Sequence, residues 1–221
     1  MGGEARARLA RCIDGRSVEA SARGVGMMPR APEKQAALAL AVLSFSIALL
    51  LFDLAGGLAH GAGRPLGVTL RLAGGWAMVA VVLSWITFGG GRGSSARSKA
   101  LLASSALAAP LGLFAWMQLF HGTYEEPIEA AGHQCLALTL AIGLIPFASV
   151  MALHGATRRD RAGPLGAAAA ATCGAWASVL VELWCPLTNA VHVLLGHVAP
   201  VALLVVCGAL VAGWRAEARE P

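Results

Sequence analysis

Sulfur and imidazole are the groups in this sequence best suited to chemistry. The chain has five cysteines and six histidines. Cys12, Cys135, Cys173, Cys185 and Cys207 form no CxxC pair and no zinc-finger spacing, so no local metal motif is written into the chain. Cys135 and Cys185 can still meet if the fold brings their segments together. Two such thiols form a reversible disulfide pair in an oxidising compartment, or serve as small apolar side chains. The stretch Cys185-Pro186-Leu187-Thr188-Asn189-Ala190-Val191-His192-Val193-Leu194-Leu195-Gly196-His197 adds two imidazoles. On an α-helix, side chains five positions apart are about 500° apart, so His192 and His197 lie about 140° off a common face. That spacing makes a poor two-histidine metal pair. His133 or His121 with Cys135, Cys185 and His192 would offer thiolate and imidazole donors, which suit Zn²⁺ or Cu⁺. No HExxH occurs, no Ser–His pair has protease-like spacing, and GGGRGSS at 89–95 lacks the GK[ST] that positions phosphate and Mg²⁺. The expectation is a protein that is not an enzyme and needs no cofactor.

The elements that must position these groups are set by hydropathy. Of the 221 residues, 57% are apolar and 13% charged, about half the charge of an ordinary soluble domain, and the mean hydropathy is +0.67. A water-soluble core of this size cannot hide so much apolar surface. Composition excludes a disordered chain and a disulfide-stapled miniprotein. Alternating ~10-residue segments, the mark of a membrane barrel, are absent. A membrane helix needs ~20 mostly apolar residues, and six segments qualify: about 36–54, 68–88, 100–120, 134–153, 164–184 and 190–214. The predicted fold is all-α, a polytopic membrane protein with six transmembrane helices. Its parts are a polar N-terminal segment 1–35, a membrane domain 36–214 and a tail 215–221. Pro146 and Pro200 fall inside spans, where neighbouring helices can satisfy the freed backbone groups. The Gly166–Gly174 run, GAAAAATCG, offers a small-residue surface for close helix contact. No signal peptide is visible in the first 35 residues.

Loop charge sets the orientation. Of 17 Lys and Arg, only Arg64 and Arg71, the latter near the outer end of the second helix, fall on one side. Both termini are therefore expected in the cytoplasm. His60, His121, Glu125, Glu126, Glu129, His133, Cys135, Glu182, Cys185 and His192 then gather near the outer boundary, with His197 deeper and Cys12 and His154 inside. At that boundary the histidines read more naturally as interfacial groups bonded to water and headgroups than as ligands. His197, deep in its helix, makes either a packing or a functional hydrogen bond. Asp53 and Arg71 are expected to form a structural ion pair between the first two helices. Glu182 lies one turn inside the fifth helix. No chain of such groups crosses the bilayer, which weakens a proton-coupled pump.

Six helices, a short cytoplasmic N-terminus, and single cysteines at Cys135 and at Cys185-Pro186, followed by His192 and His197, resemble the NrsF-type integral membrane anti-sigma factors. The likeness is architectural over 36–214. It implies that the N-terminal segment, with Arg6, Arg8, Leu9, Arg11 and Ile13, holds an extracytoplasmic-function sigma factor at the bacterial inner membrane. It implies also that Cys135 and Cys185 sense an envelope, oxidative or light-derived signal, with His133, Glu182, His192 and His197 in support. The N-terminal segment here is richer in Arg and Gly than that family's and lacks a clear acidic amphipathic helix. Its arginines also suit anionic lipid. Under this reading the partners are the sigma factor, membrane lipid, and a regulatory protease or second membrane protein; the chain does not touch nucleic acid directly. The alternative from another class is a small-solute or metal transporter subunit, which would need a polar path through the bilayer.

Overall fold

The computed structural model describes residues 31–57, 64–90, 96–120, 132–153 and 159–218, with the backbone alone for 31–42, 89–90, 153 and 159–160. The chain divides into two compact units, Met1–Leu38 and Ala39–Pro221. Of the first, the described part is the backbone of a helix beginning at Ala31.

All regular structure among the described residues is helical. Helix α1 spans Ala31–Leu54. Helix α2 spans Leu66–Ser84 and continues into a π-helical turn, Trp85–Gly90. Helices α3 (Ala96–Phe120), α4 (His133–Leu153) and α5 (Arg159–Trp184) follow. Helix α6 covers Ala190–Glu217 in three parts: Ala190–Val193, a π-helical turn Leu194–Val198, and Ala199–Glu217. Five of these, α2 to α6, are long and apolar enough to cross a membrane; the apolar part described for α1 is Leu43–Leu54. The helices run past the apolar stretches into polar flanks, as α5 does from Arg159, because backbone hydrogen bonding does not stop where hydropathy falls.

The exterior confirms the solvent. Leu119 is 77% exposed, Leu54 73% and Leu111 71%. Apolar side chains this exposed, over most helices, fit lipid rather than water. The interior is ordered around α5, which packs against α2, α3, α4 and α6. It can serve as the hub because its middle, residues 166–178, is made of small residues apart from Trp176: Ala168, Ala170, Ala171 and Ala175 have no exposure. At its crossing with α6 there is no room for a Cβ on Gly166, which faces the Gly208 carbonyl, nor on Gly208, which faces Gly166. In lipid, where apolar burial drives nothing, such close backbone approach is what holds helices together.

Contacts sort the helix ends. Trp184 Nε1 donates to the Ala55 carbonyl at 2.7 Å, joining the end of α5 to the end of α1. Arg215 Nη1 donates to the Met151 carbonyl at 2.9 Å, joining the C-terminal ends of α4 and α6 at the opposite pole. Cys135, at the start of α4, and Cys185, just past α5, therefore share one pole of the bundle.

Candidate functional site

Cys135 is the third residue of α4, and Cys185 begins the five-residue link between α5 and α6. Asn189 caps α6: its side chain accepts the His192 amide at 2.9 Å, which starts the helix and fixes where His192 points. His192 Nε2 lies 3.1 Å from Cys185 Sγ and 3.3 Å from Cys135 Sγ, so one imidazole touches both sulfurs. The sulfurs are free thiols, not a disulfide. The Leu187 amide donates to Cys185 Sγ at 3.4 Å.

His197 completes the cluster. Its ring centroid is 5.6 Å from that of His192. One ligand atom from each of Cys135, Cys185, His192 and His197 lies within 4.8 Å of all the others. This overturns the expectation that the two histidines point apart. That expectation assumed an unbroken α-helix, but Leu194–Val198 is a π-helical turn. A π turn closes i to i+5, so residues five apart stack on one face. Its cause is legible in hindsight. Pro200 follows the turn, lacks an amide hydrogen, and in a regular helix would drive its ring against the Gly196 carbonyl. Gly196 has a second duty: a Cβ there would stand 2.9 Å from Cys135 Cβ and 3.1 Å from the Gly132 carbonyl. Only glycine lets α6 approach the start of α4 this closely.

A buried ionic relay backs the cluster. His197 Nδ1 lies 3.1 Å from Glu182 Oε2. Glu182 Oε1 accepts from Arg64 Nη1 at 2.6 Å, and the Arg64 Nη2 group donates to the Glu182 backbone carbonyl. Arg64 Nε donates to Thr69 Oγ1 at 3.0 Å. Glu182 and His197 have no exposure and Arg64 has 5%. A carboxylate buried this fully needs a cation, and Arg64 supplies it through a two-point grip.

The four donors of the cluster are all buried, at 5% exposure or less. Hydrogen bonding to the Cys135 sulfur, and then burial, push the Cys185 thiol up to about 11. As a bare thiol it is protonated at neutral pH and a weak nucleophile. Together the groups can bind a thiophilic cation as thiolates, or form a disulfide if an oxidant reaches them.

The remaining expectations divide. Cys135, Cys185, Glu182, His192 and His197 come together. His192 is buried, not interfacial. His133, the first residue of α4, is exposed and outside the cluster. Asp53 and Arg71 do not pair: both are exposed, and Arg71 Nε donates to the Gly67 carbonyl at 3.0 Å. The cation that matters is Arg64, which the sequence reading counted only as a loop charge. A signal existed, since a carboxylate inside a span demands a partner and that side of the chain offers only Arg64 and Arg71. Cys173 and Cys207 lie elsewhere on α5 and α6. Arg6, Arg8, Leu9, Arg11, Ile13, Cys12, His60, His121, Glu125, Glu126, Glu129 and His154 lie outside the described residues. No family model matches the chain, and neither a curated protein nor a solved structure matches it.

Proposed function

We propose that the chain is a membrane-bound anti-sigma factor of the bacterial inner membrane. It crosses the membrane six times with both termini in the cytoplasm. The segment 1–35 holds an extracytoplasmic-function sigma factor, and a signal at the outer pole of the bundle releases it. The observation that carries this reading is the pairing of Cys135 and Cys185. Two thiols from distant segments share one imidazole at a single pole, and the positive-inside rule puts that pole away from the basic N-terminal segment. A chemical change at the sulfurs would move α4 against α6, because their backbones touch at Gly132 and Gly196.

A transporter would need polar groups leading across the bundle. The buried charges instead neutralise each other at one pole. A groove of about 540 Å³ between α1, α4 and α5 is apolar, lined by Phe45, Ile142 and Leu180 among others. Neither favours a solute path.

The test is affinity purification of the tagged full-length chain from unstressed cells, beside a deletion of 1–35, with mass spectrometry of what accompanies each. A sigma factor of this class should accompany the full chain and be lost with the deletion. Its absence from both samples overturns the reading. Cys135→Ser and Cys185→Ser should each alter induction while leaving sequestration intact; unchanged induction in both removes the sensing role.

A further inference from the structure

We infer that Cys135, Cys185, His192 and His197 bind one Zn²⁺ as a closed tetrahedral site, a claim that stands without the anti-sigma reading. Four observations converge on it.

The first is geometry. Zn²⁺ takes sulfur at ~2.3 Å and imidazole nitrogen at ~2.0–2.1 Å in a tetrahedron, which puts neighbouring ligand atoms about 3.3–3.8 Å apart. The observed sulfur-to-nitrogen distances of 3.1 and 3.3 Å need a few tenths of an ångström of expansion, and the widest pair of the set, within 4.8 Å, must close by up to about 1 Å, a side-chain adjustment for four residues already gathered at one point.

The second is an orphaned donor. His197 is fully buried and neither ring nitrogen makes a hydrogen bond of good geometry among the described residues; Nδ1 has the Glu182 carboxylate nearby, and Nε2 lacks even that. An imidazole nitrogen sealed from water without a partner is costly. Glu182 faces the other nitrogen, Nδ1, at 3.1 Å. A carboxylate behind Nδ1 keeps the proton there and leaves the Nε2 lone pair free, the arrangement that prepares a histidine to bind a metal.

The third is the surroundings of the sulfurs. The Leu187 amide donates to Cys185 Sγ. An N–H aimed at a sulfur is the kind of outer hydrogen bond that orients a metal-ligating side chain.

The fourth is charge. Two thiolates neutralise a divalent ion, and Arg64 neutralises Glu182, so the buried group sums to zero. A monovalent Cu⁺ would leave one uncompensated negative charge in a site sealed by protein and lipid. This selects the divalent ion from the two that the donor set suits. Four protein ligands leave no open position, so the ion joins α4, the α5–α6 link and α6 and does not catalyse.

The experiment is metal analysis of the full-length chain, purified in detergent through a tag without histidines and without chelator. About one zinc per chain is expected, from four ligands making one tetrahedral site. Replacement by Co²⁺ should give a thiolate-to-metal charge-transfer band and intense tetrahedral d–d bands. Both signals should vanish in Cys135→Ser and in His197→Gln. They should persist in Cys173→Ser and Cys207→Ser, whose sulfurs lie outside the cluster. Should the ligand variants aggregate, the Co²⁺ spectrum of the unaltered protein decides, because its charge-transfer band reports sulfur ligation directly. A monodisperse, helical protein that carries substoichiometric zinc and gives no such spectrum with added Co²⁺ overturns the site. Stoichiometric copper overturns the charge argument and the choice of ion. Zinc retained in full by Cys135→Ser overturns the ligand set.

Discussion

Helices α5 and α6 meet twice, by opposite means. Midway they cross on glycine and alanine, with Gly166 against the Gly208 carbonyl and Gly208 against Ala170. At their linked ends they meet through Glu182, Cys185, His192 and His197. At the crossing, the one requirement is that nothing protrude, and any small residue meets it in part. At the linked ends each group requires a particular partner at a particular angle, and losing one strands another inside the bundle. The crossing should therefore be sensitive to size and the polar pole to pairing. The difference can be broken or sharpened by substitution.

The largest effect should come from Arg64→Leu. It leaves Glu182 buried with His197 as its remaining partner. Removing one member of a buried ion pair costs ~3–5 kcal/mol because the other charge is stranded, whereas replacing both with apolar groups is often neutral. Arg64→Leu should thus unfold far earlier in denaturant, followed by helical circular dichroism in detergent. Arg64→Leu with Glu182→Leu should recover most of the loss. A double variant as unstable as the single one would show that shape, not pairing, governs this pole.

Next is the crossing. Gly208→Ala adds one methyl group where a Cβ would meet Ala170 Cβ at 2.6 Å and the Gly166 backbone beside it. Overpacking of this kind costs ~1–3 kcal/mol. Gly213→Ala, on the same helix, adds the same methyl where nothing lies within 4 Å. It should be neutral or gain up to about 1 kcal/mol, since alanine is the better helix former. Equal effects in the two variants would mean that the close approach of α5 and α6 does not limit stability.

The contrast also explains what could be read in advance. Five of the six expected spans were legible because membrane helices are written as uninterrupted apolar runs, and the helix ends at Phe120, Leu153 and Trp184 match the expected ones. The crossing was legible too, because GAAAAATCG is a local pattern. The polar pole was not. Its donors come from α4, the α5–α6 link and α6, and its central pairing depends on a π turn that shifts His197 onto the face of His192. A periodicity of 3.6 cannot anticipate that shift, although Pro200 and Gly196 mark where it occurs. Arg64 was overlooked because a loop arginine reads as solvated until a buried carboxylate calls for it.

The smallest effect should come from a polar contact that belongs to neither region. Thr87, in the π-helical turn after α2, meets Thr172 of α5 with the hydroxyl oxygens 3.2 Å apart. Thr172 also donates to the Ala168 carbonyl at 2.8 Å, so Thr87→Val does not orphan it. The loss should be near the lower end of the ~0.5–1.5 kcal/mol of a neutral hydrogen bond, with shape nearly conserved. Thr172 lies about 20 Å from Cys185 along the α5 axis, at 1.5 Å per residue. The zinc content and Co²⁺ spectrum should therefore be unchanged in Thr87→Val. A shifted spectrum would mean that α5 moves as one rigid rod between its poles. A change at the sulfurs would then reach the opposite end of the bundle directly, and the pole and the crossing would no longer be separable.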